Sequence, residues 1–235
     1  MQLGQYYHLY VNYCVAAEAL KSRIPKSVDL DLFENRPVVS WVVSTWQDLK
    51  MLSLPWGLNE QSFSLSLRTY VKFRRDDEWI RGYFPLESWM SGSKNKLMKR
   101  LVGMGSSGNF ECKRSVHFEP FEKSSKGIFE YKWSDPNRRG EQVMRFRTLG
   151  SPQPAMAGYL EYFTAEKNHS FVASKNKVTI FQEERLPSML WELDETILPT
   201  HFPGEGSLNC DWATPSSTFV VKGSKVSIRK LATIA

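Results

Sequence analysis

A mainly β fold with a minority of helix is the architecture that this sequence predicts, and three observations carry the prediction. Apolar and polar residues alternate with period two in segment after segment. Turn-forming residues separate those segments at short intervals. Hydrophobic residues make up 41% of the 235 and charged residues 24%, ordinary globular usage that excludes a disordered or fibrous chain. A chain of this length buries roughly 70% of its unfolded surface, enough for a core without metals or crosslinks.

In chain order, the first strand is HLYVNY (8–13). A helix over 16–24 ends at Pro25, as the residue before proline disfavours helical backbone. After the turn at Glu34-Asn35 comes PVVSWVVSTW (37–46). SFSLSLRTYVKF (62–73) alternates most clearly: Phe63, Leu65, Leu67, Val71 and Phe73 on one face, Ser64, Ser66, Arg68, Tyr70 and Lys72 on the other. Asp76-Asp77 turns the chain into WIRGYFPLE (79–87). A helix over 91–103 starts beside a serine and stops at Gly103. Strands at 112–118, 128–133 and 143–148 follow, divided by turns at 124–127 and 135–140. The spacing predicts helices over 158–167 and, after Pro187, over 188–197, with a strand at 177–181 between them. Strands at 217–221 and 225–230 close the chain. No internal repeat and no Gly/Ser linker divides it, so residues 1–235 read as one domain.

Lys and Arg number 31 against 25 Asp and Glu, a net charge of +6. The surplus is scattered; its densest cluster is Lys94, Lys96, Lys99 and Arg100, and no five like charges adjoin, so nucleic acid is not the expected partner. Cys14, Cys112 and Cys210 are odd in number and far apart, the pattern of free thiols in a reducing compartment. His8, His117, His169 and His201 are equally dispersed, and neither metal nor cofactor is expected. The N-terminus lacks the basic start and apolar core of a signal peptide, and no apolar run approaches the ~18 residues of a membrane span. The expectation is a cytoplasmic protein without a membrane partner, with self-association left open.

Four stretches together resemble a known family. They are ALKSRIPKSVDLDLFENRPVVSWVV (19–43), FSLSLRTYV (63–71), GYFPLESWMSGSKNKLMKRLVG (82–103) and GYLEYFTAEKNHSFVASKNKVTIFQEERL (158–186). In this order and spacing the chain resembles the YqjF-like family, a branch of the acetoacetate decarboxylase-like superfamily. The Arg-Thr-Tyr-Val and Leu-Glu-Tyr-Phe pieces are the most specific. The resemblance implies a closed conical antiparallel β-barrel with a few peripheral helices and a small-molecule cavity inside.

In the decarboxylases, a Gly-Phe-Pro-Lys-Lys turn supplies the lysine that forms a Schiff base with the substrate ketone. The matching turn here is Gly103-Met104-Gly105-Ser106-Ser107, with no amine. The resemblance therefore implies a barrel without that chemistry, acting by proton transfer and electrostatic stabilisation in the manner of an isomerase, dehydratase or cyclase. Its substrate would be a hydrophobic carbonyl or polyketide-like compound. A non-catalytic protein that binds or senses an aromatic or lipid-like molecule is the alternative, and a ligand-free structural module a third.

If the polar face of 62–73 lines the barrel, Arg68 would hold a carboxylate or enolate bidentately, with Tyr70 as donor or general acid and Ser66 beside them. The alternative puts that face in solvent or under a helix, with Arg68 in a structural ion pair. Glu87 occupies the place of the superfamily's acidic residue; it is expected either to shuttle protons and pair with Arg68, or to face the following helix. Trp41, Trp89, Ser106, Glu161 and Tyr162 complete the expected ligand-binding set; the aromatic share of 13% is high for a soluble protein, and the rings either fill the β-core as bulk or line a ligand cavity.

Overall fold

The computed structural model describes residues 2–51, 54–58, 62–91, 108–109, 111–118, 127–134, 141–174, 176–202, 208 and 210–234. The elements are β1 (Gln2–Cys14), α1 (Glu18–Lys21), β2 (Asp29–Leu30), β3 (Val38–Met51), β4 (Leu54–Leu58), β5 (Ser62–Arg75), β6 (Glu78–Ser91) and β7 (Gly108–Asn109). There follow β8 (Glu111–Phe118), β9 (Gly127–Ser134), β10 (Glu141–Pro154), α2 (Leu160–Ala165), β11 (His169–Ser174), β12 (Lys177–Glu184), β13 (Met189–Ile197), β14 (Ser217–Lys222) and β15 (Lys225–Ile234). These strands make one sheet in the order β4-β3-β5-β6-β11-β12-β15-β1-β14-β13-β10-β9-β8; β2 pairs with β5, β7 with β6, and β1 with β3 as well. The β6–β11 and β6–β7 contacts are parallel and the other pairings antiparallel. The molecule is thus mainly β with few helices, the class the sequence predicts. Among the described residues no helix is long and apolar enough to cross a membrane.

Turn chemistry explains the hairpins. Glu34 and Asn35 both take positive φ (46° and 62°) inside the Phe33–Arg36 bridge, the left-handed pair that a two-residue hairpin needs. Asp76, at φ 53°, opens the turn that pairs Arg75 with Glu78. Gly82 permits the close parallel contact of β6 with β11, since a Cβ there would stand 2.3 Å from the His169 carbonyl oxygen.

Segment 188–197 is strand β13, not the helix expected after Pro187. It has a partner on each side, Met189 to Ile197 lying along β10 and Met189 to Trp191 along β14. A proline just before a strand forfeits no ladder bond and looks the same in sequence as one opening a helix. Of the helix expected over 91–103, Ser91 ends β6 and the remainder lies outside the described residues.

Both faces of β5 are buried. Phe63, Leu65 and Leu67 join Leu9, Val11, Val39, Trp41, Phe129, Tyr131, Phe146 and Trp191 in the largest apolar core. On the other face Ser64, Ser66, Arg68 and Tyr70 are equally enclosed. Leu160, Thr164 and Ala165 of α2 are buried; Leu160 packs with Tyr70, and Thr164 lines the cavity beside Arg68. A polar layer shut away from water must find its own hydrogen bonds, and that requirement shapes the site.

Candidate functional site

Register brings the polar residues of three neighbouring strands together. His8 of β1 lies opposite Ser44 of β3, and Asn12 opposite Ser40. Ser40 in turn lies opposite Arg68 of β5, and Val42 opposite Ser66. Across the next hairpin Tyr70 faces Tyr83 of β6. Opposed residues of an antiparallel pair share a face, so these side chains form one layer.

Hydrogen bonds settle most of it. Ser40 Oγ donates to Asn12 Oδ1 at 2.5 Å, which leaves the Tyr70 hydroxyl to donate to Ser40 Oγ at 2.7 Å. Asn12 Nδ2 donates to Ser217 Oγ at 2.9 Å. His8 Nδ1 meets Ser44 Oγ at 2.8 Å. Burial first, and then the nearby Arg68 and Arg185, hold His8 well below the usual imidazole range, so it is neutral at pH 7.

A cavity opens within this layer, lined by His8, Tyr10, Arg68, Tyr70 and Tyr83 of the sheet and by Thr164 of α2. Lys167, Glu183 and Arg185 complete its wall. Its space is about 360 Å³ with the solvent at its mouth included, and its enclosed part holds on the order of one water. Arg68 is only 5% exposed. Its Nε donates to Ser66 Oγ at 2.8 Å and its guanidinium lies 4.3 Å from the centroid of the Tyr83 ring. Among the described residues no carboxylate comes within ion-pair distance of it.

The other charges are placed differently. Lys167, 9% exposed, donates to Asp31 Oδ2 at 2.7 Å, and Arg81 donates to the second oxygen, Oδ1, also at 2.7 Å. Burial lowers the Lys167 amine and the Asp31 carboxylate opposes that shift. Arg185 spends its donors on the Ala165 and Lys167 carbonyls at the end of α2. Glu183 accepts a 2.5 Å hydrogen bond from the Tyr83 hydroxyl. Among the described residues, three cationic side chains and one carboxylate therefore line the cavity. No group of His, Cys, Asp and Glu among the described residues could hold a metal ion.

One family model matches residues 7–224, that of DUF2071, described as an uncharacterized conserved protein. The chain belongs to the DUF2071 family. Membership agrees with the YqjF-like resemblance, and the structural neighbours of this DUF2071 chain are acetoacetate decarboxylase-like. No curated protein matches its sequence. Among solved structures it is similar to the enduracididine biosynthesis enzyme MppR complexed with pyruvate, at TM-score 0.62 and 12% identity over 98% of this chain and 90% of that one. It is also similar to acetoacetate decarboxylase from Legionella pneumophila (TM-score 0.58, 11% identity, 99% and 87% covered). A third is an acetoacetate decarboxylase-like enzyme from Sphingomonas wittichii RW1 (TM-score 0.56, 13% identity, 98% and 92% covered).

Of the residues singled out in the sequence of this DUF2071 protein, Arg68 and Tyr70 line one cavity, and Ser66, on the same face, accepts a hydrogen bond from Arg68 without itself lining it. Glu87 does not join them. It pairs with Arg23 at 2.8 Å and lies opposite Leu67, on the apolar side of β5. Trp41 and Trp89 also belong to that side: Trp41 stacks on Phe202 at 4.7 Å, and Trp89 lies 5.6 Å from it. They are core residues and do not line the cavity. On α2, Thr164 faces the cavity, while Tyr162 is 40% exposed and Glu161 half-buried, both outside its lining. Ser106, with its whole turn, lies outside the described residues. Sequence reasoning missed His8, Tyr10, Tyr83, Lys167, Glu183 and Arg185. The first two did leave a signal: His8, Tyr10 and Asn12 alternate with Leu9, Val11 and Tyr13 just as the polar residues of β5 alternate with its core.

Proposed function

We propose that this protein is an enzyme that binds a small carbonyl compound bearing a carboxylate, and acts on it by proton transfer and electrostatic stabilisation. One observation carries the reading: Arg68 is 5% exposed, faces the cavity, and has no carboxylate within ion-pair distance among the described residues. Burial opposes the Arg68 charge, while Tyr83, Tyr10 and the Glu183 charge across the cavity favour it. An anionic ligand offsets the cost of burial, and the planar guanidinium fits a carboxylate bidentately. Lys167 and Arg185 add to the same field.

The polar lining of the cavity favours a small acid over an aromatic or polyketide-like compound, and the tryptophans expected to receive such a ligand are packed against one another. MppR, of the same fold, is described in complex with pyruvate, which makes a short 2-oxo acid the natural probe. A wrapped, barrel-like wall is supported by the successive pairings β1–β3, β3–β5, β5–β6, β6–β11, β11–β12, β12–β15 and β15–β1. The Schiff-base route is disfavoured for the one lysine at the cavity among the described residues, since Lys167 is held by Asp31.

Isothermal titration with pyruvate and with its methyl ester tests the proposal. Binding of the acid, loss of that binding in Arg68→Met, and no heat from the ester are expected. Equal binding of acid and ester overturns it.

A further inference from the structure

We propose that Glu183 and Tyr83 are the proton-transfer couple of this cavity, with Glu183 as the base that enolises a bound 2-oxo acid and Tyr83 as the donor to the enolate oxygen. The inference rests on the small-carboxylate reading given above and assigns catalytic residues to it. Neither side chain belongs to the strand that carries Arg68, and 100 residues separate them in sequence.

Four observations converge. Both side chains are buried and both line the cavity. The Tyr83 hydroxyl donates to Glu183 Oε1 at 2.5 Å, while Oε2 makes no hydrogen bond to the described residues. A carboxylate is acceptor-only, so that second oxygen is a free proton acceptor at the cavity. The Arg68 guanidinium, proposed to hold the substrate carboxylate, lies 4.3 Å from the Tyr83 ring centroid, so the anchor adjoins the couple. Burial, followed by the Glu183 charge, pushes the Tyr83 phenol up, which keeps the resting proton on Tyr83.

The step balances without any further reactant. Glu183 Oε2 takes a proton from the carbon beside the carbonyl; the C–H electron pair becomes the new C=C bond and the carbonyl π pair moves onto oxygen. Glu183 is then a neutral acid with its proton on Oε2, and its Oε1, no longer part of an anion, holds the Tyr83 hydroxyl less strongly. That releases the Tyr83 proton to turn toward the enolate oxygen, so the stabilising hydrogen bond forms only once charge has developed there. The reverse step returns a proton to carbon. When Glu183 exchanges with solvent in between, the substrate acquires a solvent hydrogen.

Proton NMR of pyruvate in deuterium oxide reads this directly, as loss of the methyl signal, with affinity measured separately by titration. The wild-type protein is expected to accelerate exchange over buffer. Glu183→Gln, which still accepts from Tyr83, should lower that rate by about 100-fold or more and leave pyruvate affinity within about threefold. Tyr83→Phe should lower it by roughly tenfold. Pyruvate that binds without exchange, or exchange at the wild-type rate in folded Glu183→Gln, overturns the couple and leaves the binding reading standing. If Glu183→Gln does not fold, an unchanged rate in Tyr83→Phe overturns the couple by itself. Failure of wild-type protein to bind pyruvate overturns both.

Discussion

Replacing Arg68 by methionine removes the charge and keeps most of the side-chain volume, so the two faces of β5 stay packed. Two favourable contacts disappear. The charged bond from Nε to Ser66 Oγ, 2.8 Å long, is worth about 1.5–3 kcal/mol. The buried guanidinium over the Tyr83 ring is worth about 2 kcal/mol. Against these stands the relief of a desolvated cation with no carboxylate in contact, itself several kcal/mol. The opposing contributions are of similar size, so the unliganded variant should lie within about 2 kcal/mol of wild type, a melting shift of no more than roughly 8 °C for a chain this long. Pyruvate affinity behaves differently: truncating one partner of a buried charge pair costs at least about 2 kcal/mol, or roughly 30-fold. Calorimetric melting with and without pyruvate separates the two effects, because wild type should gain stability from the ligand and Arg68→Met should not. A variant that melts more than about 10 °C lower and is still stabilised equally by pyruvate would refute the reasoning, since Arg68 would then be a structural ion.

Three further outcomes are expected. Asp31→Asn leaves the Lys167 ammonium buried beside a neutral partner; the loss should be about 3–5 kcal/mol, seen as a fall in melting temperature on the order of 10 °C, and a fall under about 2 °C would remove the pair from the fold's stability. His8 is depressed from its usual value of 6.5, so below that pH the unfolded chain binds a proton that the folded one refuses. Stability should therefore decline as pH falls from about 6.5 toward 5, by up to ~1.4 kcal/mol per pH unit, with His169 contributing in the same direction; urea melts that show the same slope in His8→Asn would refute the His8 share. Glu87→Gln loosens a half-buried pair with Arg23 and should cost about 1 kcal/mol while leaving pyruvate affinity unchanged; a tenfold loss of affinity would return Glu87 to the site.

Alternation is a local property, and what it could reveal was local. It places Ser66, Arg68 and Tyr70 on one face of β5 because that strand obeys period two from Phe63 to Val71. It could not place Glu87. A bulge between Leu67 and Arg68 makes Glu87 the partner of Leu67 and Pro85 the partner of Arg68, a one-residue slip that moves a carboxylate to the opposite face. The rest of the cavity wall comes from β1, β6, β12 and the chain around α2, which strand pairing brings together from far apart in sequence: β1 reaches β5 through β3, and β6 reaches β12 through its parallel contact with β11. Those neighbours are set by tertiary pairing, and no spacing in the sequence encodes them. The aromatic surplus was legible as bulk but not as location: Trp41, Trp89, Phe202 and Trp212 form one cluster on the face away from the cavity. For segment 188–197, Trp191 has a strand partner in Val220 of β14, and pairing of that kind overrides the helix signal of Pro187.

Strand β5 is a partition wall between two compartments, one polar and charged, the other apolar and aromatic. A mutation at position 64, 66, 68 or 70 edits the chemistry of the first, and one at 63, 65 or 67 edits the packing of the second, though all seven share a single backbone. Selection can therefore change what the protein recognises while leaving its largest store of cohesive energy untouched, because sites that share no partners respond almost independently. A combinatorial library confined to the even positions should accordingly yield a high proportion of folded members that differ in ligand, whereas one confined to the odd positions should yield mostly unfolded chains with the same polar lining. In this fold, part of the capacity to acquire new recognition resides in the two-residue pleat of one strand.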